Sequence, residues 1–248
     1  MLSSVFLGYA AVHLGLWLWG WRLWATHGRP VPLALVLVSG TLLSYDNFRI
    51  GIGRFVGAGD MLHALSVPAF AWHWSMLPLL VIAAGSLARA AGLAWAQPRV
   101  VMGAFCLTAV GLSALDIPKI AGIELHVACL ADTVRYTTSV PATQLCNPAD
   151  APVSHSTGAA LVAILTNVVL LGVGIALWWQ RRWPWLAAGA GAMFVAAGAF
   201  AGSPWSLPIA NLGEICLTLA LIVTCVHFAR AAPSRVGADA RPTAPESR

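Results

Sequence analysis

Charge is what this chain has least of. Among 248 residues, 14 are Lys or Arg and 9 are Asp or Glu, a charged share of 9% where an ordinary soluble domain carries about 25%. A soluble fold of this size needs more polar surface than these residues supply. The shortage excludes a soluble enzyme, a disordered chain and a nucleic-acid-binding domain. The net charge of +5 and the isoelectric point near 9.3 do not reverse this, because the basic residues fall between apolar runs, so no nucleic-acid partner is expected. The common chemical motifs are absent too. There is no GxxxxGK[ST] phosphate loop, no HExxH and no GxSxG. No paired-aspartate diphosphate–magnesium motif, CxxC or Cys/His zinc spacing occurs either. The expected site is therefore metal-free and without a cofactor. No internal repeat is visible, and with it the inverted halves usual in secondary transporters are missing.

What is present is hydrophobic: 59% of the chain is apolar, with a mean hydropathy of +0.78. The expected fold class is all-α, a polytopic protein of the cell membrane. A membrane-spanning helix needs roughly 20 apolar residues at about 1.5 Å each. Seven stretches qualify: 2–24, 32 toward 54, 68–89, 100–115, 157–179, 183–201 and 208–230. Pro32, Pro68 and Pro208 suit the first turn of a helix. The first stretch lacks the basic start of a signal peptide and ends in Trp17, Trp19, Trp21 and Trp24, so it reads as a span. The sixth is rich in Ala and Gly, which favours close helix packing. Residues 1–230 thus form one seven-helix domain. Residues 231–248, aperiodic and rich in Ala, Pro, Arg and Ser, read as a disordered cytoplasmic tail.

Basic residues set the orientation. With the N-terminus outside, Arg22, Arg29, Arg89, Arg99, Arg181, Arg182 and Arg230 share one side, and only Arg49, Arg54, Lys119 and Arg135 the other. The first side is then cytoplasmic, giving an N-out, C-in topology. A tryptophan belt on that side (Trp21, Trp24, Trp95, Trp178, Trp179, Trp183, Trp185) agrees. The long connection 116–156 falls outside, and within it 120–136 reads as a short amphipathic or re-entrant helix. Cys129 and Cys146 share this loop, in a compartment that permits a disulfide between them. Cys106, Cys216 and Cys225 lie within apolar helices and read as small hydrophobes.

Ionisable groups inside spans are costly and point to function. Asp46 stands 14 residues past Pro32 and Glu214 six past Pro208, which places each roughly 9 Å beneath the outer face. His73, five residues past Pro68, falls at roughly 7–8 Å. Glu214, Asp46 and His73 form the candidate catalytic set. Tyr45, Asn47, Arg49, Arg54, Asn211, Trp72 and Trp74 are the candidate substrate-binding residues around it. Two readings of Arg49 stay open: at i+3 it either neutralises Asp46 as a structural pair or belongs to the site. Gly51, Gly53, Gly57 and Gly59 with Arg49 and Arg54 either hold an anionic headgroup or include a Gly53-xxx-Gly57 helix contact. Glu214 has no cation at i±3 or i±4, so it needs a proton or a partner from another helix, Arg49 or His73. His13 and Asn167 lie near the mid-plane and read as packing residues. Asp116, Glu124, His126, Asp132 and Arg135 either cap the site or are ordinary loop residues.

In chain length, helix count and the placement of one acid late in the second helix (Asp46) and one in the seventh (Glu214), the chain resembles the small seven-helix membrane terpene cyclases of meroterpenoid pathways. That resemblance implies metal-free protonation of an epoxide or alkene, followed by cation cyclisation among aromatic walls. The expected function is an integral membrane enzyme acting on an apolar lipid or isoprenoid by acid–base chemistry. Two alternatives stand beside it: a non-catalytic lipid-binding or structural protein, and a proton-coupled transporter with Asp46 and Glu214 as relay. The expected partners are membrane lipids and an apolar small molecule. No feature of the sequence speaks to oligomeric state.

Overall fold

The computed structural model describes residues 1–153, 158–200 and 203–231, and the chain is mostly helical. The helices are α1 (Leu2–Thr26), α2 (Val31–Val56), α3 (Asp60–Met76), α4 (Leu79–Ala90), α5 (Arg99–Asp116), a single turn α6 (Pro118–Ala121), α7 (Gly158–Arg181), α8 (Trp185–Gly198) and α9 (Ser206–Ala231). Two strands, β1 (His126–Leu130) and β2 (Thr133–Thr137), separate α6 from α7. Among the described residues six stretches are long and apolar enough to cross a membrane, with α3 and α4 counting as one, Asp60–Ala90. The tail from 232 onward, on which disorder was expected, lies outside the described residues.

Three expectations are corrected. The third span begins at Asp60, not Pro68, which sits inside α3. Its break falls instead at Pro78, whose ring removes a helical donor between α3 and α4. The segment 120–136 is not an amphipathic helix; its larger part is an antiparallel hairpin pairing His126 with Thr137 through to Leu130 with Thr133. The sixth apolar stretch forms a helix of only 14 residues.

Apolar side chains of α2, α4, α7, α8 and α9 form the main core, around Leu33, Leu37, Leu87, Leu170, Leu177 and Ile222. Small residues bring backbones together around it. A side chain at Gly174 would meet the backbone of Ala187, one at Gly189 would meet Ala220, and one at Gly213 would meet Met193 and Ala196. The pairings run in opposite order along the chain, so α8 lies antiparallel between α7 and α9. Close backbone approach is the main source of helix association where lipid removes the hydrophobic driving force.

The hairpin follows a two-residue period: Thr133, Arg135 and Thr137 are buried, and Val134 and Tyr136 half-buried. A disulfide joins Cys129 to Cys146 and ties β1 to the segment after β2. The hairpin turn, Ala131–Asp132, docks on the start of α1 and the end of α2. Asp132 accepts from Arg54 at 2.9 Å and from the Leu2 N–H at 2.5 Å, and its carbonyl accepts from Ser3 Oγ at 3.1 Å. The Met1 ammonium also pairs with its carboxylate. These donors, the ammonium first, hold the Asp132 carboxyl well below the usual carboxylate range. Gly53 of α2 lies directly under the Val134 carbonyl, where a Cβ would collide with backbone. The α1 start, the α2 end and the hairpin therefore share one end of the bundle. At the other end Arg181 donates to the Gly92 carbonyl, joining the α7 end to the α4–α5 connection.

Gly53→Ala should cost about 1–3 kcal/mol, because the obstructing atom is backbone and cannot rotate away. The expected readout is a lowered Tm with faster hydrogen exchange over 126–137. An unchanged exchange pattern would show that the hairpin does not need this approach.

Candidate functional site

Six helices, α2, α3, α4, α7, α8 and α9, leave a cavity of about 100 Å³ between them. Most of its wall is aliphatic, as for Leu42, Leu43, Leu80, Leu170 and Leu217. The polar groups in the wall are Ser39 of α2, Trp72 and His73 of α3, Thr166 and Asn167 of α7, and Glu214 and Thr218 of α9. Several are already committed. Ser39 Oγ donates to the Met76 carbonyl at 2.9 Å, Trp72 Nε1 to the Val38 carbonyl at 3.3 Å, and Asn167 Nδ2 to the Ala190 carbonyl at 3.1 Å. Others are not. Thr166 Oγ and Asn167 Oδ1 are buried with no hydrogen-bond partner among the described residues. Among the described residues neither His73 nor Glu214 makes a hydrogen bond or ion pair.

About two turns along α2 from Leu42 and Leu43 stands a second polar group, built around Arg49. This side chain is 2% exposed. Its Nη2 and Nε donate to Asp46 Oδ1 at 2.6 and 3.2 Å. Its Nη1 donates to Ser66 Oγ of α3 and to the Tyr136 carbonyl of β2, each at 3.0 Å. The guanidinium also lies 5.4 Å from the Phe70 ring centre, within cation–π range. Arg135 of β2 enters from the hairpin side and donates to Gln144 Oε1 at 2.5 Å, leaving its Nε without a partner. Burial first, and the charge of Arg49 second, lower the Arg135 guanidinium to about 10. Asp116 is buried and pairs with Lys119 at 2.5 Å.

Glu214 and His73 both feel the charge of Asp46, and His73 also that of Asp116. The three candidate acids and bases therefore share one electrostatic field. They do not converge as metal ligands: among the described residues no group of three or more His, Cys, Asp or Glu could hold a metal ion. Nor does Glu214 meet Arg49, which was one of its two expected partners.

Of the residues singled out from sequence, Trp72, His73 and Glu214 line the cavity, and Asp46 and Arg49 stand beyond it as an ion pair. Tyr45 donates to the Leu65 carbonyl at 2.7 Å. Asn47 and Asn211 each donate to a carbonyl four residues back in their own helices. Trp74 is buried against Phe70. Arg54 is taken up by Asp132. Gly51 admits Leu7 of α1 and Gly53 the hairpin, while the space beside Gly57 and Gly59 is open. His73 lies 13 residues beyond the start of α3, not five beyond a helix start at Pro68, and still lines the cavity. Sequence reasoning missed Thr166, Ser66 and the Tyr136 carbonyl. The Thr166–Asn167 pair inside an otherwise apolar run was the available signal, of which only Asn167 stood out.

Comparison with family models, with curated proteins and with solved structures finds no match. The site is therefore read from its own chemistry.

Asp46→Asn should destabilise the protein by about 3–5 kcal/mol, because it leaves the buried Arg49 cation uncompensated. Pairing it with Arg49→Met should recover much of that loss. Thermal unfolding of the two single variants and the double variant measures the coupling. Strict additivity would show that the two side chains do not act as a pair.

Proposed function

We propose that the chain is a seven-helix membrane enzyme, N-out and C-in, that acts on an apolar lipid or isoprenoid by acid–base chemistry in the cavity. The seventh crossing is α8. At about 1.5 Å per residue its 14 residues reach roughly 21 Å, and its antiparallel packing between α7 and α9 supports a complete traverse. The orientation rests on unbalanced charge. Among the described residues, Arg22, Arg29, Arg89, Arg99, Arg181 and Arg182 have no ion pair, while Arg49, Arg54 and Lys119 toward the hairpin end each hold an aspartate. The count of Lys and Arg itself, larger at the end that holds Arg22, Arg29, Arg89, Arg99, Arg181 and Arg182, is what marks the cytoplasmic side.

The observation that carries the enzymatic reading is one carboxyl, Glu214, unpartnered in an aliphatic cavity that also presents His73. An apolar lining with a few polar groups is the composition of a small-molecule site. Trp72 belongs both to the cavity wall and to the bundle surface, where it is 39% exposed. That placement supports lateral access from the bilayer. Glu214 is the proposed general acid, and His73 is the other titratable group in the same wall. Asp46, held by Arg49, contributes field without contact. Terpene cyclisation by protonation of an epoxide or alkene is one reaction of this class, and Trp72 offers an aromatic face to a passing cation.

Lipid extracts of cells with and without the expressed protein should differ in an apolar product. Glu214→Gln should lower that product by roughly 10²-fold or more while leaving Tm nearly unchanged, since Glu214 has no partner to lose. A fully active Glu214→Gln protein would reject the acid and leave the lipid-binding reading standing.

Reporter fusions check the topology. Fusions after Arg29, Arg99 and Arg182 should report cytoplasm, and fusions within 116–156 the opposite side. A cytoplasmic signal from 116–156 would reverse the orientation.

A further inference from the structure

We propose that the end of the bundle opposite the hairpin carries a binding site for an anionic phospholipid, with Arg89 on its phosphate. The site goes beyond the acid–base reading and shares no residue with it. A crevice of about 510 Å³ opens there between the α1–α2 turn, the last turns of α4 and α9, and the first turn of α5. Val31, Pro32, Met102 and Phe228 make its apolar wall, and His27, Ser86 and Arg89 its polar one.

Arg89 differs from the other described arginines of this end. Arg22, Arg29, Arg99, Arg181 and Arg182 are exposed, whereas Arg89 is half-buried. Arg29 lies over the Trp24 ring and Arg181 donates to the Gly92 carbonyl. Among the described residues the Arg89 guanidinium has neither a hydrogen bond nor an ion pair. The segments that build this end, 22–32, 86–102, 178–186 and 223–231, hold seven arginines and no Asp or Glu. A cation partly withdrawn from water gains from a counter-ion, and these segments supply none. Neighbouring groups can join an anion on Arg89. Ser86 Oγ meets only Met102 Sδ, at 3.9 Å, a weak acceptor. His27 spends Nδ1 on the Leu23 carbonyl and Thr26 Oγ and leaves Nε2 uncommitted.

The lining also selects what carries the anion. Phosphate oxygens match the guanidinium fork. Arg89 stands within one turn of the end of α4, as Trp24 does in α1 and Pro32 in α2, which is headgroup depth for spanning helices. Basic pockets between helix ends at that depth suit anionic lipids, and the apolar wall receives the first part of an acyl chain. A choline headgroup would bring an ammonium among the arginines, where a glycerol headgroup brings no charge. The headgroup expected from sequence at Arg49 and Arg54 finds those cations held by Asp46 and Asp132; Arg89 is not held.

The test is lipid titration of the purified full chain in detergent micelles, read by native mass spectrometry. Dioleoyl phosphatidylglycerol should bind roughly 10-fold more tightly than dioleoyl phosphatidylcholine, the effect of one charge-assisted hydrogen bond. Arg89→Gln should remove this preference and leave the Tm of the lipid-free protein unchanged, because Arg89 has no protein partner to lose. Arg89→Lys, which keeps the charge without the fork, should retain it in part. Arg99→Gln and Arg182→Gln, which remove exposed charges from the same end, should each change it by less than about 3-fold. Soluble glycerophosphoglycerol should compete only at a roughly 100-fold higher concentration, since it lacks the chains. Neutralising the tail acids, Asp239→Asn with Glu246→Gln, should leave the preference as it is. Unaltered preference in Arg89→Gln, or equal losses in all three Arg→Gln variants, would overturn the proposal and leave a general positive surface. Competition by the headgroup alone at the lipid's own concentration would overturn it in favour of a soluble phosphate, and tighter lipid binding without the tail acids would put the chain's own tail in the crevice.

Discussion

A guanidinium buried in an apolar bundle must be neutralised and hydrogen-bonded from several directions, and Arg49 meets that demand by drawing three separate elements to itself. Asp46 supplies the charge from the same helix, Ser66 an acceptor from α3, and Tyr136 a carbonyl from β2. Removing one partner from such a group costs more than the isolated bond is worth, because the remainder is left buried and unpaired. The hairpin's position follows from this. A carbonyl of β2 must stand over α2 at one place, and Gly53, one turn further along, is the residue that lets the strand come that close.

The same demand divides the polar groups of the bundle into two sets. Asp46, Arg49, Asp116 and Lys119 neutralise one another in pairs and serve architecture. Among the described residues the side chains of His73 and Glu214, in the cavity wall, and the buried atoms Thr166 Oγ and Asn167 Oδ1 have no hydrogen-bond or ion-pair partner. A carboxyl in contact with a guanidinium stays ionised and is a poor proton donor, whereas a carboxyl among aliphatic side chains is free to carry and release a proton. Committing Arg49 to Asp46 therefore keeps the strongest nearby cation away from Glu214.

How far the sequence could be read depended on the kind of signal. Long apolar runs made the helices and their approximate ends legible, because hydrophobic length is a direct requirement of the bilayer. The early start of α3 was not, since Asp60 and His63 open it with polar residues and Pro68 imitates a helix start. The hairpin was misread because 120–136 is short and mixed in composition; its period of two is carried by residues such as Arg135, whose burial depends on Gln144 and not on hydrophobicity. Glu214, His73 and Trp72 stood out as rare residue types in apolar surroundings. Thr166 did not, because a helical threonine is normally satisfied by its own backbone, and only the folded chain reveals that this one is not.

The small-residue packing of α7, α8 and α9 bears on the site as directly as the charges do. Asn167 reaches the Ala190 carbonyl because α8 lies close enough to α7 for a short side chain to span the gap, and Gly174 under Ala187 sets that closeness. Glycine contacts at Gly189 and Gly213 hold α9 against the other face of α8, one residue before Glu214. The spacing of the three helices thus sets the part of the cavity wall that Asn167 and Glu214 belong to. Larger residues at these contacts would part the helices, release the Asn167 amide and widen the space between acceptor and acid. A helix of 14 residues with few polar groups of its own governs the site by bringing its neighbours together.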